Sequence, residues 1–237
     1  MPKAPRPLRR RLGALVTVAA LGVSLGLVPA QGQTDLRTAT TVADRGNPDA
    51  YRFSARVDGE PIHWNKCDRI GFRVYTRDAP ERGIAQAREA VSRLNKASGL
   101  SFVYQGRSQA KPSQYDQYAR DTKLVVGWSA PRRSPIPFGG AAGYGGVTYS
   151  STGEILQGFA LLNSAVKLAP GFGRGPREGV QGTIGQVLMH ELGHAVGLDH
   201  VGNQPQIMYG TATRKLATWG AGDRNGLERV GKLRRCF

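Results

Sequence analysis

Three of the four histidines in this 237-residue chain stand in one short run, His190-Glu191-Leu192-Gly193-His194-Ala195-Val196-Gly197-Leu198-Asp199-His200. The run has the spacing H-E-x-x-H-x-x-G-x-x-H, and each fixed position has a physical task. In a helix that turns about 100° per residue, His190 and His194 differ by about 40°, so both imidazoles reach one point and can share a metal ion. Glu191 lies about 60° from His194. Gly197 tolerates the left-handed backbone that ends a helix, which lets the chain reverse and bring His200 back as a third ligand. Three histidines suit zinc and leave its fourth position to water, and a neighbouring carboxylate is placed to take that water's proton. The expected chemistry is hydrolysis by activated water, with His190, His194 and His200 as metal ligands and Glu191 as general base. With ordinary residue frequencies this extended spacing arises by accident in roughly one chain in a hundred thousand, so chance is a poor account of it.

The elements that must position these residues are legible around them. Ile184, Leu188, Leu192 and Ala195 form an apolar stripe beside the histidines, so one helix can bury a face and present its ligands on the next. Asp78, with Glu81 three positions on, reads as the start of a second helix, in which Ile84, Ala87, Val91 and Leu94 recur at helical spacing until Gly99. Ile70, Phe72 and Val74 alternate with polar or small residues in a strand over 69–76, and further strands are expected over 100–105 and 123–128. Leu124-Val125-Val126 is a continuous apolar run, suited to burial on both faces. Strand, helix, strand implies a right-handed crossover onto a mainly parallel sheet. The Gly-, Pro- and Ser-rich stretch 129–152 reads as an irregular surface loop. The strand expected over 154–164 is assigned to a sheet edge, where unpaired backbone groups would meet an extended peptide.

The N-terminus reads as an export signal. Lys3, Arg6, Arg9, Arg10 and Arg11 precede an apolar run from Leu12 to Val28, followed by Pro29 and Ala30. Cleavage near Ala30 is expected; twin-arginine export also fits, and an uncleaved membrane anchor is the competing reading, weakened by Gly13, Gly22 and Gly26. The chain thus divides into a signal peptide over 1–30, a polar linker or short pro-segment over 31–61, and one catalytic domain over 62–237. Both cysteines, Cys67 and Cys236, fall in the exported part, where a disulfide between them is expected, with two unpaired buried thiols as the alternative. The net charge is +16. A surface so basic favours acidic substrates or an anionic cell-surface polymer through long-range attraction. No zinc-finger spacing, aromatic RNA-binding signature or helix-turn-helix cue accompanies it, so no specific nucleic-acid partner is expected. No repeat of 20 to 50 residues is present, which excludes a solenoid or propeller, and a monomer is expected.

Together with Ile207-Met208-Tyr209, in which Met208 lies eight residues past His200, the histidine run resembles the metzincin zinc proteases, and among them the matrixin-like secreted members. The resemblance implies an α/β (α+β) fold: a twisted, mainly parallel sheet with an antiparallel edge strand, two long helices and a short C-terminal helix near 223–233. It implies one catalytic Zn2+, a Met-turn in which Met208 forms an apolar floor beneath the ligands, and an extracellular endopeptidase acting on protein or peptide substrates. On composition alone Met208 would be a core filler, and both roles are compatible. Gly210 stands where some metzincins place a metal-binding tyrosine, so Tyr209 is not assigned as a ligand. Val201 departs from the small hydroxyl residue usual in matrixins, and 31–61 holds no cysteine to cap the zinc. Structural Ca2+ is common among such relatives, but the scattered acids assign no site, and His63 alone supports no second zinc centre. A catalytically inactive zinc-holding binding module and a metal-dependent cell-wall peptide amidase are the alternative functions.

Overall fold

In a computed structural model of the chain, residues 15–17, 46–175, 182–233 and 236–237 are described. Apart from Leu15–Thr17, the expected signal peptide and the first part of the linker lie outside the described residues.

The alternating stretch around Phe72 forms strand β5 (Arg69–Tyr75), followed by helix α1 (Gly83–Ser98) and strand β6 (Ser101–Arg107). β5 and β6 pair in parallel, with Ile70 opposite Phe102, as the crossover pattern predicts. β7 (Leu124–Ser129) is buried along its whole length and is an inner strand, running parallel to β5 on one side and to β9 (Ile155–Asn163) on the other. β8 (Gly143–Tyr149) pairs antiparallel with β9. The order across the sheet is β8-β9-β7-β5-β6, and β1 (Leu15–Thr17) lies antiparallel on the free edge of β8. The mainly parallel sheet with an antiparallel edge is therefore present.

Two local expectations need correction. The strand over 154–164 is an inner strand, and the antiparallel strand beside it is β8, drawn from the stretch that reads as a loop, with only Leu15–Thr17 beyond it. Its sequence, Gly-Tyr-Gly-Gly-Val-Thr-Tyr, hides the strand because glycine is depleted from strands and breaks the alternating pattern. Asp78 does not cap α1, whose N-cap is Arg82 without a side-chain bond. Its carboxylate instead accepts from the Ala130 N–H and pairs with the Arg133 guanidinium, tying the end of β5 to the end of β7.

Helix α2 (Ile184–His194) carries the histidine run and is buried at every residue, wedged between α1 and the β8–β9 pair. Its first turn is held by reciprocal bonds: Thr183 Oγ1 accepts from the Gln186 N–H, and Gln186 Oε1 accepts from the Thr183 N–H. Helix α3 (Ala221–Lys232) closes the domain against α1. Residues 46–61 supply β2 (Arg52–Phe53), β3 (Arg56–Val57) and β4 (Glu60–Pro61); β2 pairs with β10 (Leu198–Asp199), just before His200. Cys67 and Cys236 are joined, with their Cα atoms 5.7 Å apart. Among the described residues no helix is long and apolar enough to cross a membrane.

Candidate functional site

The three histidines meet. His190 and His194 project from consecutive turns of α2, and the chain then leaves the helix after a C-cap at Ala195. Gly197 takes a φ of +94°, the left-handed value that its place in the motif requires. β10 then returns the chain, and the three Nε2 atoms lie 2.9 Å (His190 to His200), 3.1 Å (His190 to His194) and 3.2 Å (His194 to His200) apart.

The other ring nitrogens decide what those short distances mean. His190 Nδ1 lies 2.7 Å from the Ile207 carbonyl, and His194 Nδ1 lies 2.9 Å from the Leu198 carbonyl. A carbonyl only accepts, so each Nδ1 carries the proton and each Nε2 is a bare lone pair. Two lone pairs facing each other at 3.1 Å repel unless a cation stands between them. Nitrogen ligands about 2.0–2.1 Å from a tetrahedral zinc lie about 3.3 Å apart, so the cluster matches the size of that ion. The donor set fits zinc: three imidazoles, with second-sphere carbonyls fixing the tautomers. Burial keeps the rings neutral, pushing His190 well below its usual range and His194 down to about 3. His200 is half-buried and also lowered by burial, with the Asp199 carboxylate opposing the shift.

Glu191 is wholly buried, and both its carboxylate oxygens lack a hydrogen-bond partner. A buried carboxylate without partners is costly, so this arrangement needs a functional reason. Burial pushes its pKa well above the ordinary value. β8 lies directly against it. A Cβ on Gly143 would come within 2.7 Å of Glu191 Oε1, and one on Gly145 would overlap the Glu191 carbonyl. The glycines that conceal β8 in the sequence are the ones that let the edge strand reach Glu191.

Met208 is buried beneath the cluster. A Cβ on Gly193 would overlap its sulfur, so the glycine in the middle of the motif leaves the space Met208 occupies. Sequence reading missed the group that holds this turn. Asp223, in the first turn of α3, accepts from the Ile207, Met208 and Gly220 N–H groups. Ile207 is also the residue whose carbonyl receives His190 Nδ1, so one peptide links α3 to a candidate ligand. Burial pushes the Asp223 carboxyl up to about 6, against the pull of those N–H donors. No spacing signal separates Asp223 from an ordinary helix-start acid.

His63 stands apart, with Nδ1 on the Trp64 carbonyl and its ring against Phe237. Among the described residues, the three converging histidines form the one cluster able to hold a metal ion.

The family profile described as Matrixin matches residues 64–230. Among solved structures, metalloproteinase-II from Bacteroides fragilis is similar with a TM-score of 0.41 and 14% identity, over 81% of this chain and 60% of that chain. This chain thus spans less than two thirds of that protein's length. No curated protein matches it in sequence.

Proposed function

Because the chain belongs to the matrixin family of zinc metallopeptidases, we propose that it is a zinc-dependent endopeptidase in which His190, His194 and His200 hold the metal and Glu191 is the general base. The observation that carries this reading is the pair of bare Nε2 atoms facing each other on α2, with the unpartnered Glu191 carboxylate in the same turns. Zinc held there supplies Lewis acidity toward water and toward the scissile carbonyl. Glu191 takes a proton from the attacking water and delivers it to the departing amide nitrogen. Ile207 and Leu198 keep the ligand nitrogens unprotonated throughout.

The substrate lies along β8 as an added antiparallel strand. Leu15–Thr17 of the chain itself pairs with that edge, with Leu15 opposite Thr148 and Thr17 opposite Gly146, which supports its use by an extended peptide. A strand laid along an edge has residues on both sides of the cut, which is why an endopeptidase is favoured. The basic leader and the joined cysteines support export to an oxidising space.

The test is digestion of casein by the purified protein, with metal analysis beside it. One zinc per chain, activity abolished by a chelator and activity restored by zinc are expected. Glu191→Gln should keep the zinc and lose turnover by about 10²–10⁴-fold. Native-rate digestion by that variant would remove Glu191 from the chemistry.

A further inference from the structure

Two of the three histidines depend on the short strand β10. The Leu198 carbonyl, in β10, receives His194 Nδ1, and His200 directly follows the strand. His200 has less support of its own than the other two. Among the described residues its Nδ1 meets no carbonyl, whereas those of His190 and His194 each meet one. Its placing therefore falls to the backbone on either side. After it, the Val201 N–H donates to the Met208 carbonyl. Before it, β10 has β2 as its only strand partner among the described residues.

β2 comes from the stretch that reads as a linker or pro-segment. Its register sets Phe53 opposite Leu198 and Arg52 opposite Asp199. The Ser54 N–H donates at 2.9 Å to the carbonyl of Gly197, where the chain turns back, and Ser54 Oγ donates to the same carbonyl at 3.2 Å. Arg52 meets one Asp199 oxygen at 3.5 Å, and the other accepts from the His200 N–H at 2.7 Å, so a single carboxylate links β2 to the third histidine. Upstream, the segment is pressed onto α3. A Cβ on Gly222 would overlap the Ala50 carbonyl, and one on Gly226 would stand 3.0 Å from both Tyr51 and Leu198. The Asn47 carbonyl accepts from Gln206, beyond His200 in the same loop, so the segment grips that loop at both ends.

Resting on the zinc endopeptidase reading, we infer that residues 47–54 are a retained part of the metal site, in which Ser54 and Arg52 are positioning residues for His194 and His200. A two-residue strand pair is marginal by itself and adds little to the stability of the domain. A shift of β10, however, moves the Leu198 carbonyl and the His200 backbone together, and groups that orient metal ligands act on metal affinity directly. The Ser54 bonds are the stronger hold. The Arg52–Asp199 pair is exposed at its Arg52 end and therefore weaker. Proteolytic maturation that preserves the site cuts before residue 47.

The experiment uses full-length protein loaded with zinc, and reads zinc release to a chromophoric chelator beside the visible absorption of the cobalt-substituted form. Ser54→Pro removes the N–H and the hydroxyl together, and should speed zinc release about 10–100-fold and alter the cobalt spectrum. Arg52→Glu sets two carboxylates side by side and should speed release about 2–5-fold, while Arg52→Lys should keep the native rate. Unfolding of the metal-free proteins is the control, and its midpoint should stay near the native value. A fall in that midpoint large enough to account for the faster release would make β2 merely structural and overturn the inference. Native zinc release and a native cobalt spectrum in Ser54→Pro would overturn it too. If Ser54→Pro does not fold, the Arg52 pair decides, and equal release from Arg52→Glu and Arg52→Lys overturns the inference. The intact mass of active protein from its native source should place its first residue at or before Asn47. Zinc-bound, active protein that starts after Ser54 would overturn the inference while leaving the endopeptidase reading intact. Failure of the native protein to bind zinc would instead overturn that reading itself.

Discussion

A neutral imidazole has one N–H and one lone pair, and at His190 and His194 the Ile207 and Leu198 carbonyls choose which nitrogen keeps which. That choice leaves lone pairs converging where a metal ion would fit, and it has a thermodynamic consequence. His194 has its pKa lowered from 6.5 to about 3 by burial. Its unfolded form therefore takes up a proton as pH falls below 6.5 while the folded form does not. The stability it contributes is present above 6.5 and is lost on acidification. Asp223 and Glu191 have raised values and act with the opposite sign, so total stability is a poor readout for one histidine. The clean comparison is metal-free native protein against metal-free His194→Gln. Between pH 7.5 and pH 5.5 the native protein should lose about 1.4 kcal/mol more than the variant in urea unfolding, one pKa unit's worth of differential protonation. Parallel pH profiles for the two proteins would show that His194 protonates equally in both states.

Among the elements, α2 carries the histidine spacing, but α3 and β8 shape its surroundings. Asp223 holds Ile207, Met208 and Gly220 by their N–H groups, so α3 fixes the turn under the cluster. An asparagine in its place has one accepting oxygen and turns an NH₂ toward donors. Asp223→Asn should destabilise the protein by at least ~1–3 kcal/mol and weaken zinc retention, because the Ile207 carbonyl that orients His190 shifts with its peptide. Urea unfolding and a zinc-release assay check this, and an unchanged unfolding midpoint would mean that the bonds to Asp223 contribute little. The two elements differ in how they could be read. The Thr183-to-Gln186 spacing of the α2 capping box is visible along the chain. The meaning of Gly143 and Gly145 is not, since it lies in a close approach to Glu191, which is more than forty residues away.

At the scale of the whole molecule, the Cys67–Cys236 bond spans 169 residues and ties the segment just before β5 to the residues after α3. In the chain-entropy model a loop of that length stabilises by about 5 kcal/mol at most, and strain or residual unfolded structure lowers the figure. Cys67→Ser should therefore lower the thermal midpoint markedly while leaving the three histidines converged, so zinc-dependent peptide cleavage at 25 °C should persist. Loss of zinc binding in a folded Cys67→Ser variant would make the bond part of the site. By itself the amino-acid sequence determined what local spacing can encode: the shared face of His190 and His194, the helix-ending Gly197, the parallel crossover around α1 and the pairing of the only two cysteines. The tertiary structure alone decided that β8 is the antiparallel strand lying against Glu191 and that Asp223 anchors the turn beneath the three histidines. Those features arise where backbone from distant segments meets at van der Waals distance, and no periodicity along one segment records the shape of another.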